Sequence, residues 1–98
     1  MKIGLHLGSR LDVLEIVEYY EQTGEAGLAA DFFAEVAKHI TYIAARPLSF
    51  PVHQEKYRRA NLSRFPHNIL FRIVDEETVR ILAVRHNHRN PSYGIDRN

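Results

Sequence analysis

The sequence predicts one α+β domain over residues 1–98, with an N-terminal strand, a two-helix antiparallel hairpin and an antiparallel β-meander in the order β-α-α-β-β-β. Three observations carry this. Lys2 to Leu7 alternates with Ile3, Leu5 and Leu7 on one side. Two stretches with apolar residues three and four apart follow, separated by Thr23-Gly24. Beyond Pro47 the pattern changes to short β-like runs punctuated by Pro66 and by Asp75-Glu76-Glu77.

Taken in order, the first strand gives way to Ser9-Arg-Leu-Asp12, which has the spacing of a capping box with Asp in the place of Glu. The helix that follows turns Val13, Ile16, Val17 and Tyr20 to one side and Glu15, Glu18 and Glu21 to the other. Gly24 is expected to end it in the left-handed conformation. A second helix spans Glu25 to Arg46, with Ala29, Phe32, Phe33, Val36, Ile40, Ile43 and Ala44 on its apolar face, and Pro47 ends it. His6 and His39 have no companion at metal-ligand spacing and read as structural.

Leu48 to Gln54 reads as an irregular surface connector. The meander strands are Tyr57–Leu62, Asn68–Val74 and Thr78–Val84, the last two apolar on both parities, as expected of central strands covered on both faces. Parity places Arg72 opposite Ile69, Phe71 and Ile73, and puts Arg85 with Val79, Ile81 and Ala83. Arg72 and Arg80 read as a solvated sheet surface. From Ile81 to Tyr93 the chain passes from an apolar strand to a polar segment holding Arg85, His86, His88, Arg89 and Tyr93, and Pro91 bars it from continuing as a central strand. Gly94 to Asn98 has nothing to bury and is expected to fray or to wait for a partner.

Composition narrows the function classes. A hydrophobic content of 45 % with 26 % charged residues is globular rather than disordered. With no cysteine, disulfides and thiolate zinc sites are excluded, which fits a reducing cytoplasm. There is no signal-peptide pattern, and no apolar run approaches the ~20 residues of a membrane span, so a cytoplasmic protein without a membrane partner is expected. Glycine-rich phosphate loops, Gly-x-Ser-x-Gly elbows and paired zinc motifs are missing, and no cofactor is implied. His86 and His88 lie two apart and share a face on an extended strand, but with no third ligand nearby no metal site is assigned.

Charge is lopsided. Residues 1–45 carry three Lys/Arg against seven Asp/Glu, whereas residues 46–98 carry ten against five, nine of the ten being arginine. The second half therefore points to an anionic partner, and Arg58, Arg59, Arg72, Arg85, His88 and Arg89 are its candidate contacts. A metal-free RNA-cleaving site needs a base, an acid and cations. His86 or His88 with Tyr93 fits the first two roles, and Arg59, Arg85 or Arg89 the third.

With Tyr57-Arg58-Arg59, Phe65-Pro66-His67-Asn68-Ile69-Leu70-Phe71-Arg72-Ile73 and Val84-Arg85-His86-Asn87-His88-Arg89-Asn90-Pro91 in this order, the chain resembles the RelE/ParE superfamily, the toxins of bacterial type II toxin–antitoxin modules, often labelled plasmid stabilisation proteins. The resemblance covers nearly the whole chain. It implies one of two targets. RelE-like members cut mRNA in the ribosomal A site, and ParE-like members poison DNA gyrase. Under the ribosome-dependent endoribonuclease alternative, Arg59, Arg85, His86 and Tyr93 would be catalytic. The nucleases keep basic residues at two places on the middle strands where this chain has Asn61 and Asn68. The Tyr-Arg-Arg start, the Phe-Arg-Ile strand and the His-rich end look closer to the ParE branch. Either branch implies a cognate antitoxin whose acidic, amphipathic C-terminal segment wraps the toxin.

Overall fold

The computed structural model describes all 98 residues. Its elements are β1 (Lys2–Leu5), α1 (Leu7–Thr23), α2 (Leu28–Ala45), a 3-10 turn at Pro47–Ser49, β2 (Val52–Gln54), β3 (Tyr57–Asn61), β4 (His67–Ile73) and β5 (Thr78–His86). The strands form one sheet in the order β1-β5-β4-β3-β2. The expected α+β architecture is present, and β3, β4 and β5 form the antiparallel meander. The sheet as a whole is mixed, because β1 docks parallel to β5, pairing Lys2–Leu5 with Thr78–Ile81.

Local chemistry shifts several boundaries. His6, not Ser9, caps α1: its Nδ1 accepts from the Gly8 N–H, and the Ser9 hydroxyl donates back to the His6 carbonyl. The helix thus begins at Leu7, two residues ahead of the expected cap, and Ser9 and Asp12 turn into the protein. Gly24 ends α1 in an extended conformation (φ −93°), so the left-handed expectation fails there. A side chain at Gly24 would stand 2.7 Å from the Tyr20 carbonyl oxygen, so the need for glycine is steric. The left-handed residue is Gly27 (φ 86°), which leads into α2 and delays that helix from Glu25 to Leu28.

The core lies between the hairpin and one sheet face. Phe32, Val36 and Ile43 of α2 pack with Ile69, Phe71, Val79, Ile81 and Val84 of the central strands, and α1 adds Val13, Ile16, Val17 and Tyr20. Phe33 falls outside it and is 60 % exposed. Glu35 is buried midway along α2, where one carboxylate oxygen accepts from the Ser63 and Arg64 N–H groups and pins the β3–β4 loop.

Two expectations about irregular segments are overturned. The connector at 48–54 contains β2, which pairs Val52 with Arg58 and Gln54 with Tyr57 at the sheet edge. The residues after Gly94 do not fray. Tyr93 and Ile95 cover a second apolar cluster of Tyr57, Leu70, Leu82 and Ala83 on the sheet face away from the helices. β5 also runs on to His86, pairing Arg85 with Asn68 and His86 with His67. Pro91 is not what stops it. The chain turns at Asn87, where His86 Nδ1 accepts from the His88 N–H and the His86 carbonyl from the Arg89 N–H.

Candidate functional site

A bulge in β5 decides which arginines share a surface. Opposite β4, Leu70 pairs with Ala83 and Phe71 with Ile81, leaving Leu82 as an extra residue. Ile81 and Val84 both face the helical core, while Leu82 and Ala83 both face away from it. The alternation therefore slips by one, and Arg85 joins Arg80 and Arg72 on the face away from the helices, against the expectation from simple parity. On β3, Ala60 packs in the helical core, which sends Arg59 to that same open face and Arg58 to the helix side. There the Arg58 guanidinium donates to the Phe50 carbonyl at 2.7 Å and ties down the connector.

None of the five strands contains an acidic residue. The open face carries Lys2, Arg59, Arg72, Arg80 and Arg85, so four of the ten cations of the basic half share one side of one sheet.

The tail crossing that face is locked by one carboxylate. Beyond Leu5, β5 has no strand beside it on the β1 side, and its backbone there needs other partners. Asp12 of α1 supplies one: its Oδ2 accepts from the Val84 N–H at 3.1 Å. Arg97 supplies another, donating to the Leu82 carbonyl at 3.0 Å while forming a 2.7 Å ion pair with Asp12. The Tyr93 hydroxyl donates to Asp12 Oδ1 at 2.6 Å and accepts from Arg97 at 2.8 Å. Two guanidinium groups lie over the Tyr93 ring, Arg89 at 4.1 Å and Arg97 at 4.8 Å from its centre. Burial, followed by the Asp12 hydrogen bond and charge, raises the Tyr93 pKa.

Arg85 completes the lock from the other side. It is 4 % exposed and donates to Asn68 Oδ1 and to the carbonyls of Pro91 and Tyr93, with His53 Nε2 3.2 Å away. Burial lowers its pKa, and neighbouring Arg59 adds to the effect. Asn61 and Asn68 stand directly opposite each other on β3 and β4. Asn68 is buried, and its amide also donates to Asn87 at the base of the turn.

Of the residues expected from sequence, the structure gathers Arg85, Arg89 and Tyr93 at the tail and leaves Arg59 and Arg72 on the sheet. Arg58 lies on the far side. His86 and His88 are exposed and stack on each other at 5.3 Å, and His67 meets His86 edge-on. Burial, with a smaller push from His86, lowers the His67 pKa to about 4. His67 and His86 border a cleft of about 460 Å³ with Tyr19, Tyr20, Arg89 and Tyr93.

Asp12 and Arg97, the ion pair on which the site depends, were not visible as functional residues. Asp12 has the spacing of a helix cap and Arg97 sits in a segment with no apolar pattern. A second, apolar groove of about 360 Å³ lies on the helical side, lined by Leu5, Val13, Leu14, Phe33 and Ile40.

Comparison with known proteins adds two findings. The family model described as the ParE toxin of the type II toxin–antitoxin system, parDE, matches residues 7–91. A solved chain from the chromosomal ParDE TA system from P. aeruginosa has the same fold, with a TM-score of 0.75 at 16 % identity over 88 % of this chain and 95 % of that one. No curated protein matches the sequence.

Proposed function

The chain belongs to the ParE toxin family of type II toxin–antitoxin systems, and from that premise we propose that it acts by binding, inhibiting growth by poisoning DNA gyrase. Its cognate antitoxin neutralises it through an acidic, amphipathic segment. The observation carrying this reading is the state of Arg85 and Tyr93. A nuclease would need Tyr93 to release a proton and Arg85 to meet a phosphate. Instead the phenol donates to a buried carboxylate and the guanidinium donates to two main-chain carbonyls and an amide of its own fold. Both side chains build a surface, and a surface suits a binding toxin.

Two further features support the antitoxin. The acid-free sheet face complements an acidic segment. The apolar groove between the helices, with Leu14 and Phe33 exposed, suits the apolar side of an amphipathic one. No helix is long and apolar enough to cross a membrane.

The test is a supercoiling and cleavage-complex assay with purified gyrase, run beside translation of a defined mRNA in vitro. Trapped cleaved DNA with intact mRNA is the expected result. Codon-spaced mRNA cuts with gyrase unaffected would overturn it and make Arg59, His86 and Tyr93 an active site.

A further inference from the structure

Across the middle of the open face, Gly4, Arg80, Arg72 and Tyr57 form one row from β1 through β5 and β4 to β3. Arg80 and Arg72 are directly opposed on neighbouring strands, which brings their side chains to within about 5 Å at the base. Like charges so opposed are unfavourable; the Arg80 guanidinium leans toward Gly4, away from Arg72, and no carboxylate pairs with either. The ion pairs of the molecule are Arg64–Asp31 and Arg97–Asp12, neither of them here. The Nε atoms of both Arg72 and Arg80 are also shut off from solvent without a hydrogen-bond acceptor. An unsatisfied buried donor costs about 1–3 kcal/mol. The two arginines thus stand side by side in the free protein with no partner of opposite charge and an unpaired donor each.

An oxyanion gripped by both guanidinium groups removes the repulsion, and drawing the side chains toward it frees the Nε–H groups to donate. We infer that Arg72 and Arg80 form a paired-guanidinium receptor for a side-chain carboxylate of an acidic peptide. Two observations favour a carboxylate over a nucleic-acid phosphate. The whole chain has a net charge of only +1 and an acidic helical half, which give it little long-range pull on a polyanion. Nor does this face offer a polyanion a continuous cationic track, since Arg85 is buried and donates to Asn68 and to the carbonyls of Pro91 and Tyr93. The inference rests on the antitoxin reading above and assigns it a seat.

The experiment follows the arginine Nε–Hε signals of the full chain by nuclear magnetic resonance during titration with a blocked oligoglutamate peptide, with a short DNA duplex as the parallel probe. Saturable shifts of both the Arg72 and Arg80 signals are expected with the peptide. Arg72→Gln and Arg80→Gln should each weaken peptide binding about tenfold or more. Arg46→Gln, which removes the same charge elsewhere, should not. Arg72→Lys keeps the charge without the fork and should also weaken binding. Each glutamine variant should melt at a higher temperature than the parent when free, because the repulsion is gone; this also checks that it folds. Peptide binding that survives both glutamine variants would overturn the receptor while leaving an acidic partner in place. No peptide binding at any site would overturn both. Shifts with the duplex alone would replace the carboxylate by phosphate.

Discussion

Both carboxylate oxygens of Asp12 are occupied, Oδ1 by the Tyr93 hydroxyl and Arg97, Oδ2 by the Val84 N–H and Arg97. Removing that carboxylate strands three donors, one of them a charge with little access to water. Asp12→Ala should therefore destabilise the fold by about 3–5 kcal/mol, the range for breaking a buried ion pair. Tyr93→Phe loses one hydrogen bond and should cost only about 1 kcal/mol, so urea denaturation of the two variants ought to separate clearly. His67 gives a pH dependence of known sign. Its ring is 5 % exposed among Tyr20, Phe32 and His86, and its folded pKa of about 4 lies below the ordinary value of 6.5. The unfolded chain takes up the proton first on acidification. Stability is full above pH 6.5 and falls as the pH drops toward 4, by up to about 3 kcal/mol from this group. His67→Phe should remove that part of the slope when unfolding midpoints are compared between pH 7 and 4.5. An unchanged slope would refute the assignment.

At the level of elements, the helix hairpin and the meander were legible because their periodicity is local. The β5 bulge was not. Leu82 and Ala83 are both apolar, so a run already apolar on both parities hides an extra residue, and the facing of Arg85 came out reversed. β2 was equally hidden: the three residues Val52–Gln54 form an edge strand only because β3 lies beside them. The tail escaped notice for a related reason, since its apolar partners lie on three different strands. Gly94 shows how closely it sits. Its φ is 89°, and a Cβ there would stand 2.6 Å from the Ala83 side chain. Gly94→Ala should lift the tail and destabilise the protein by about 1–3 kcal/mol. Thermal melting would measure the loss, and faster hydrogen exchange at Ile95 and Arg97 would locate it.

The whole molecule is a sheet with a helix hairpin on one face and a short tail on the other, and charge follows that division. The separation of charge between the two halves was plain in the sequence; its concentration on one sheet face required the register of four strands. Sequence order likewise gave the family but not the pairings that close the fold. Such pairings join Lys2 to Thr78 and Asp12 to Arg97, and no periodicity reports on partners so far apart. A chain cut after Pro91 should keep its helices yet lose the ordered signals of Leu70, Leu82 and Ala83, as amide spectra would show. The same closure has a bearing on synthesis. While a ribosome is still making residues 78–97, the parallel edge has no partner and Asp12 has no cation, so the surface the toxin presents to its target does not yet exist. Under the proposed function, activity waits until the lock at Arg97 has emerged, and a message broken off before it should yield a chain without the finished surface.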